Sequence, residues 1–594
     1  MDSFQAHPFL LFDFHDLQGI PQNLLFTRPV SVIVAHHIDD VRPALKQVQQ
    51  AVSEGMYAAG YVSYEASPAF DPAFHVHPTP QMPLLWFGLF REAQRNAAVD
   101  SPGSYRVSPW LSTISQETYT EHIAKIRSAI ARGETYQTNY TMRLQAEFAG
   151  DDLAFYHKLC AAQQGAYSAY LHLGRYRILS ASPELFFATS GNRILTKPMK
   201  GTARRGRWLE EDAAQAEWLY TSVKNRAENV MIVDLLRNDL GCIAEVGSVD
   251  VPKLFEIEKY QTVFQMTSSV TAALRSDATI EDVFAALFPC GSITGAPKVS
   301  TMKLIHGLEN APREVYCGSI GFITPEGESV FNVAIRTVVI DSEKGTATYG
   351  VGGGITWDST ADEEYAEALA KAALLTAEFP SFDLLETLKL EYGAYDLENR
   401  HLERLLSSAE YFGIPLSVEK VQDALQEHAR DYPAEVRRVR LLVSPEGAIR
   451  IESQPLPSGS GSSTGPLPVA LASHPIDRQN RFLYHKTTCR DVYERHRKDF
   501  PEAFDTLLWN EEGQLTEFTI GNLVLELDGK KWTPPRECGL LAGTLRAELL
   551  AQGEIAERVL TLEDLQKASR IWLINSVRGW VAVELANQTI PVSS

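Results

Sequence analysis

At 594 residues the chain is too long for one core, and its 44% apolar and 22% charged content describes ordinary globular domains, two or more of them. A formal net charge of −20 repels phosphate backbones and anionic membranes, which argues against nucleic-acid and membrane partners but leaves room for a small anionic substrate in a local Lys/Arg pocket. The six cysteines form no CxxC pair and no cluster with histidine, so neither a zinc site nor a disulfide framework is expected.

The N-terminus, Met1-Asp2-Ser3-Phe4-Gln5, has no basic region leading a long apolar run, and no apolar span is long enough to cross a bilayer. A cytoplasmic location is the expectation. Up to about residue 115, short strands such as 31–35 alternate with a helical stretch near 41–55. From there to Glu378 helical and strand patterns are dense. Arg177 to Ala188 reads as one strand, followed by the turn signal Ser190-Gly191-Asn192 and a second strand from Arg193 to Thr196. Folding that hairpin places Glu184 opposite roughly residue 198, and therefore near Lys200. A carboxyl beside a lysine, with Gly201 admitting a ligand to the backbone, can donate a proton and attack a carbon. Alone, the pair is better described as a salt bridge on a sheet, and the residues that follow reverse that preference.

Lys224 to Gly241 reads as a helix ended by glycine, with Glu228, Met231, Ile232 and Leu235 on one face. A carboxylate on an apolar stripe is costly unless it is paired or binds a metal. A second helix, Ser359 to Glu378, opens with the capping signal Thr360-Ala361-Asp362-Glu363. It aligns Glu363, Glu367 and Lys371 at four-residue steps, with Glu364 beside them. Two carboxylate-bearing helices without a His/Cys cluster point to Mg²⁺ shared with an anionic substrate, although Glu363 fits a surface ion pair. Two glycine-rich stretches, 289–298 and 349–354, match no nucleotide loop, yet their bare N–H groups suit a carboxylate. Arg336 could clamp a second one.

Pro380-Ser381 stops the helix, so the expected domains are 1–379 and 380–594. The Ser/Gly run bracketed by prolines at 454–468 reads as a linker between a lobe at 382–453 and another at 469–594.

On these residues the first half resembles the chorismate-utilising enzymes, in particular the synthase component of aminodeoxychorismate synthases. The likeness covers about residues 115–378, with a weaker N-terminal part. It rests on the Ser-Pro-Glu segment at Glu184, the Arg-Asn-Asp-Leu helix at 237–240, the Gly-Ser-Ile-Thr-Gly-Ala-Pro-Lys loop at 291–298 and the Cys-Gly-Ser-Ile-Gly strand at 317–321. The resemblance implies that Glu228 and Glu367, with Glu364 nearby, hold Mg²⁺ on the ring carboxylate of chorismate. It also implies that Tyr316, Arg336, Gly352, Gly354 and Lys371 position substrate carboxylates, with Thr202 among the binding residues, and that Glu184 protonates the departing 4-hydroxyl. Lys200 stands where anthranilate- and salicylate-forming relatives usually carry alanine, and resembles a nucleophile for C2. Gln137 stands where water-adding relatives place a lysine base, which favours ammonia over water. Gln265 departs from the pattern, because many relatives have histidine there. No cysteine lies in a glutaminase elbow, so a separate glutamine amidotransferase is implied as the ammonia source.

Residues 382–594 resemble fold-type IV pyridoxal-phosphate enzymes, the group of branched-chain aminotransferases and aminodeoxychorismate lyase. The matching pieces are 401–409 with Arg404 as a phosphate ligand, 484–488 with Lys486 as the cofactor-bearing lysine, 515–523 with Glu517 on the pyridine nitrogen, and 539–546. Thr519, Ile520, Gly543 and Thr544 complete the implied cofactor set, the last two at a helix start. Arg440 and Arg578 are the candidates for substrate carboxylates. Dimerisation through this half is an expectation from analogy alone.

The expected fold is α+β: layered antiparallel sheets with helices, then a two-lobed fold-type IV domain. The expected function is conversion of chorismate and ammonia to 4-amino-4-deoxychorismate, and of that to 4-aminobenzoate and pyruvate, for folate synthesis. One rival joins an anthranilate- or salicylate-type enzyme to a branched-chain or D-amino-acid aminotransferase, and Lys200 and Gln137 oppose it. A second, an inactive scaffold for the amidotransferase, is opposed by the joint presence of Glu184, Lys200, Lys486 and Glu517.

Overall fold

The computed structural model describes residues 8–97, 99, 101, 103–376, 380–456 and 465–586. Positions 457–464 of the expected linker and the last two of the expected closing helix, 377–378, lie outside them. The chain divides into two compact units, Met1–Arg204 with Ala216–Phe379, and Arg205–Gln215 with Pro380–Ser594. The short segment Arg205–Gln215 groups with the second unit, although the sequence on either side of it belongs to the first.

In the first unit two antiparallel sheets, of 11 and 10 strands among the described residues, share a core. Strand Phe9–His15 shows why its sequence is nearly all apolar. Leu10, Phe12 and Phe14 enter the core between the sheets, with Tyr61, Phe90 and Phe322 from the other one. Phe9 and Leu11 face the opposite way, into a core with Tyr119, Phe155 and Leu159. A strand buried on both faces needs no polar alternation. Helices Gln116–Ala131, Asp152–Gln163 and Ala361–Ala372 contribute to that outer core. Helices Ile38–Ser53, Val223–Gly241 and Ile280–Leu287 cover the second sheet.

The strand expected from Arg177 to Ala188 is two strands, Tyr176–Ser182 in one sheet and Leu185–Ser190 in the other. Pro183 cannot donate to a ladder, and the chain changes sheets at Pro183-Glu184. The closing helix is also shorter than expected, Ala361–Ala372 followed by a 3-10 turn over Ala373–Leu375.

The second unit has a four-stranded antiparallel sheet under helices Glu398–Phe412 and Val418–Asp431. It also has an eight-stranded sheet in which Leu467–Leu471 pairs in parallel with both neighbours. Lys486 lies between the two lobes, and its carbonyl accepts from Leu385 N–H at 2.9 Å. Among the described residues no helix is long and apolar enough to cross a membrane.

Strand Thr346–Ile355 pairs along its length with Gln137–Gly150, setting Gly352 opposite Thr141. A Cβ on Gly352 would stand 2.0 Å from the Tyr140 carbonyl oxygen. Gly352→Ala should therefore destabilise the first unit by roughly 1–3 kcal/mol. Calorimetry of the full chain would show this as a lower first-unit midpoint, and an unchanged midpoint would mean the strand pair accepts a side chain.

Candidate active sites

A cavity of about 210 Å³ in the first unit is lined by Gln137, Glu184, Lys200, Thr202, Tyr316 and Arg336, by Gly352 and Gly354, and by Lys371. Glu228, Glu364 and Glu367 line it too. The sheet crossover turns Glu184 inward, and Leu185 pairs with Lys197, so Glu184 falls beside the strand Met199–Arg204 that carries Lys200. Glu184 is 3% exposed. Burial pushes its carboxyl up to about 7, against the opposing pull of a Ser292 hydroxyl at 2.7 Å and of Lys200. Burial likewise lowers the Lys200 ammonium, with Glu184 and Glu228 opposing. Lys200 Nζ donates to the Ser292 carbonyl at 2.9 Å. The next residue, Gly201, has φ +97, a conformation suited to glycine.

Gln137 is 2% exposed, and neither its amide oxygen nor its nitrogen has a hydrogen-bond partner. A buried amide left unpaired in a cavity wall is an unmet demand that a polar ligand can satisfy. Its Nε2 lies 2.1 Å from where a Cβ on Gly354 would stand, so that glycine is what makes room for it. Lys371 Nζ donates to Gly352 O at 2.9 Å and pairs with Glu367 at 2.6 Å. Arg336, at φ 53, donates to the Lys371 carbonyl at 2.8 Å. Thr202 Oγ1 donates to Gln265 Oε1 at 3.1 Å. Glu363 is exposed and accepts from the capping Thr360 hydroxyl at 2.7 Å, away from the carboxylate group.

Burial raises Glu228 and Glu364, and the charge of Glu367 adds to both. Burial would also raise Glu367, but Lys371 overrides it and holds that carboxyl below its ordinary value. Among the described residues no three such groups stand close enough to enclose a metal unaided. Oxygen donors that repel one another across a cavity fit a hard cation whose coordination is completed by substrate oxygens.

A cavity of about 690 Å³ in the second unit is lined by Arg404, Arg440, Lys486, Glu517, Thr519, Ile520, Gly543, Thr544 and Arg578. Burial, helped by Arg404, lowers the Lys486 ammonium to about 7. Glu517 accepts from Tyr493 Oη at 2.8 Å, Leu541 N–H at 3.0 Å and Asn522 Nδ2 at 3.3 Å, while burial pushes it up to about 7. Thr519 and Ile520 are both tied to Asp505, the first through its hydroxyl and the second through its N–H at 3.2 Å. Thr544 opens the helix Thr544–Ala551, and a Cβ on Gly543 would stand 2.0 Å from Asn522 Oδ1.

Several residues here carried no sequence signal of their own. Glu386 accepts from Arg404 through two nitrogens, at 2.9 and 2.7 Å, and from His401 Nδ1 at 2.7 Å. His401 Nε2 meets Thr544 Oγ1 at 3.3 Å. Burial opposes the Glu386 charge, but Arg404 and His401 prevail and hold it down to about 2. Arg440 pairs with Glu452 at 2.9 Å, both partly exposed, and Arg578 is exposed. Arg438 also lines the cavity, its guanidinium weakened by burial and then by Arg440, Arg578 and Arg490. In the first site, Ser292 was hidden in a loop that reads only as a source of N–H groups. The cavity-lining guanidinium of Arg404, the Thr544 hydroxyl at a helix start, a buried amine and a buried carboxyl together fit pyridoxal phosphate.

Residues 21–377 match the family of chorismate binding enzymes, more than half of the chain, and the chain belongs to that family. Residues 383–586 match the class IV amino-transferases, a class that implies pyridoxal phosphate. Over 264 residues the chain is 40% identical to aminodeoxychorismate synthase component 1 of Escherichia coli, covering 44% of this chain and 58% of that protein. Over 263 residues it is 37% identical to anthranilate synthase component 1 of Lactococcus lactis, covering 44% and 57%. It thus spans less than two thirds of these curated relatives. The crystal structure of anthranilate synthase component I from Streptococcus pneumoniae is similar in fold, with a TM-score of 0.50 at 24% identity, covering 64% of this chain and 94% of that one.

Glu386→Gln should loosen pyridoxal phosphate by at least about tenfold, because Arg404 and His401 lose the charge that aims them; absorbance titration of the full chain measures it. The same carboxyl adds stability that is complete above its ordinary 4.5 and is lost as pH falls through about 2. Acid unfolding of the variant should therefore depend less on pH across that window.

Proposed function

We propose that the first unit aminates chorismate to 4-amino-4-deoxychorismate and that the second converts this product to 4-aminobenzoate and pyruvate, a supply for folate synthesis. The observation that carries the reading is the Lys200 amine and the Glu184 carboxyl held on Ser292 in one cavity. With its carboxyl pushed up to about 7, Glu184 can hold a proton near neutrality and give it to the departing 4-hydroxyl. The lowered Lys200 ammonium makes a free amine accessible, which bonds C2 as the hydroxyl leaves C4 as water. Ammonia then enters at C4 and the C2–N bond to Lys200 breaks. Glu228, Glu364 and Glu367 would hold Mg²⁺ against a substrate carboxylate, with Lys371 and Arg336 nearby as cations. The unpaired Gln137 amide offers the incoming ammonia an acceptor rather than a base. A separate glutamine amidotransferase would supply that ammonia.

In the second unit Arg404, Thr544 and the helix start would hold the phosphate of the cofactor, and Glu517 would keep a proton on its pyridine nitrogen. Pyridoxal phosphate, when bound, supplies an electron sink beside the carbon that bears the amine. Lys486, lowered to about 7, is free to take the C4 proton of the substrate. The four guanidiniums of Arg438, Arg440, Arg490 and Arg578 favour a substrate with two carboxylates, and so a lyase over a branched-chain aminotransferase.

The full chain with chorismate, ammonium and Mg²⁺ should yield 4-amino-4-deoxychorismate without pyridoxal phosphate, and 4-aminobenzoate with it, by mass spectrometry. Anthranilate as the product would overturn the reading. Lys200→Ala should cut amination by about a hundredfold or more. Lys486→Ala should let 4-amino-4-deoxychorismate accumulate. Glu228→Gln should raise the Mg²⁺ concentration needed for half-maximal rate, and an unaltered Mg²⁺ response would remove it as a ligand.

A further inference from the structure

We propose that Ser292 is a positioning residue that fixes the proton donor Glu184 relative to the Lys200 amine and stays hydrogen-bonded to that donor whether or not it holds its proton. The inference rests on the proposed role of Glu184 as the acid.

Ser292 lies in the turn Gly291–Ile293 and is 4% exposed. Its hydroxyl and its carbonyl serve different partners. The hydroxyl stands 2.7 Å from Glu184 Oε1, while the carbonyl accepts from Lys200 Nζ at 2.9 Å. The turn itself has little freedom. Thr294 Oγ1 donates back to Cys290 O at 3.0 Å, and the buried Arg313 donates to Ile293 O at 2.8 Å. Arg313 is in turn held by an ion pair with Glu309 at 2.6 Å. One braced turn therefore sets the spacing between acid and amine.

A hydroxyl both donates and accepts, and Cys290 Sγ lies 3.2 Å from Ser292 Oγ as a third member. With Glu184 ionised, Ser292 donates to the carboxylate and the thiol donates to Ser292. With Glu184 protonated, the direction reverses and the chain ends on the sulfur. Burial, helped by the Glu184 charge, pushes the thiol up to about 12, so Cys290 remains S–H in either state. The other groups facing Glu184 are the Met199 N–H, which donates only, the Lys200 nitrogen, which donates to Ser292 O and as a free amine turns its lone pair to the substrate carbon, and the Tyr260 phenol. Tyr260 Oη is engaged with Glu258 at 2.7 Å. Ser292 is thus the neighbour able to follow the proton.

The test is the pH dependence of chorismate amination by the full chain, at constant free ammonia, for wild type, Ser292→Ala, Ser292→Thr and Glu184→Gln. In the wild type kcat should fall as pH rises through the Glu184 value of about 7. Ser292→Ala removes a hydrogen bond that favours the carboxylate, so the fall should move up by about one pH unit. It should also lower kcat about tenfold while KM for chorismate stays within about twofold. Ser292→Thr should restore both the profile and the rate. An Ala profile superposable on wild type, or a Thr variant that fails to restore it, overturns the role of Ser292. Wild-type behaviour in Glu184→Gln would instead remove the acid assignment on which the inference rests.

Discussion

A buried ammonium loses its hydration, and unless a carboxylate sits tightly against it, the amine gives up its proton more readily. Both units rest on that constraint. Lys200 gives its bond to a neutral carbonyl, and at Lys486 the charge of Arg404 adds to burial, so that Glu386 and Glu517 do not outweigh the two. An amine held this way is more readily available as a nucleophile or base than that of an exposed lysine. The same burial acts with opposite sign on Glu184 and Glu517, each pushed up to about 7. Each cavity therefore pairs a lysine moved down with a carboxyl moved up.

The first cavity follows from two backbone events. Pro183-Glu184 is where the chain leaves one sheet for the other, so Glu184 stands at the seam between them. Opposite it, the glycines of Thr346–Ile355 leave space that side chains would fill, and Gln137, Lys371 and the carboxylates of the closing helix reach into it. The wall is charged on both sides: Glu228 and Glu364 each feel the repulsion of Glu367, which a cation would relieve and which Lys371 offsets in part by pairing with Glu367.

The second cavity solves a different problem. An arginine at a cavity wall needs a partner that fixes its guanidinium. Glu386 does this by accepting two bonds from Arg404 and a third from His401, which passes the alignment on to Thr544. A carboxylate 1% exposed survives there because the Arg404 guanidinium and the His401 ring both donate to it.

Much of this was legible along the chain. The hairpin about Gly191 has local turn chemistry, so the closeness of Glu184 and Lys200 could be read from spacing. The helix of Glu228 and that of Glu367 announce themselves by period and cap, and Lys486 and Glu517 lie in recognisable short segments. Ser292, Glu386 and Arg438 were not legible, because their partners are distant in sequence and no local pattern marks them. Nor was the sheet crossover at Pro183, since an apolar run looks the same whether it stays in one sheet or changes. Residue types and short-range spacing were determined by the sequence itself, through turn propensity and helical period. Which oxygen faces which nitrogen, and how far burial moves a proton equilibrium, was decided only by packing, because both depend on long-range proximity and on the exclusion of water.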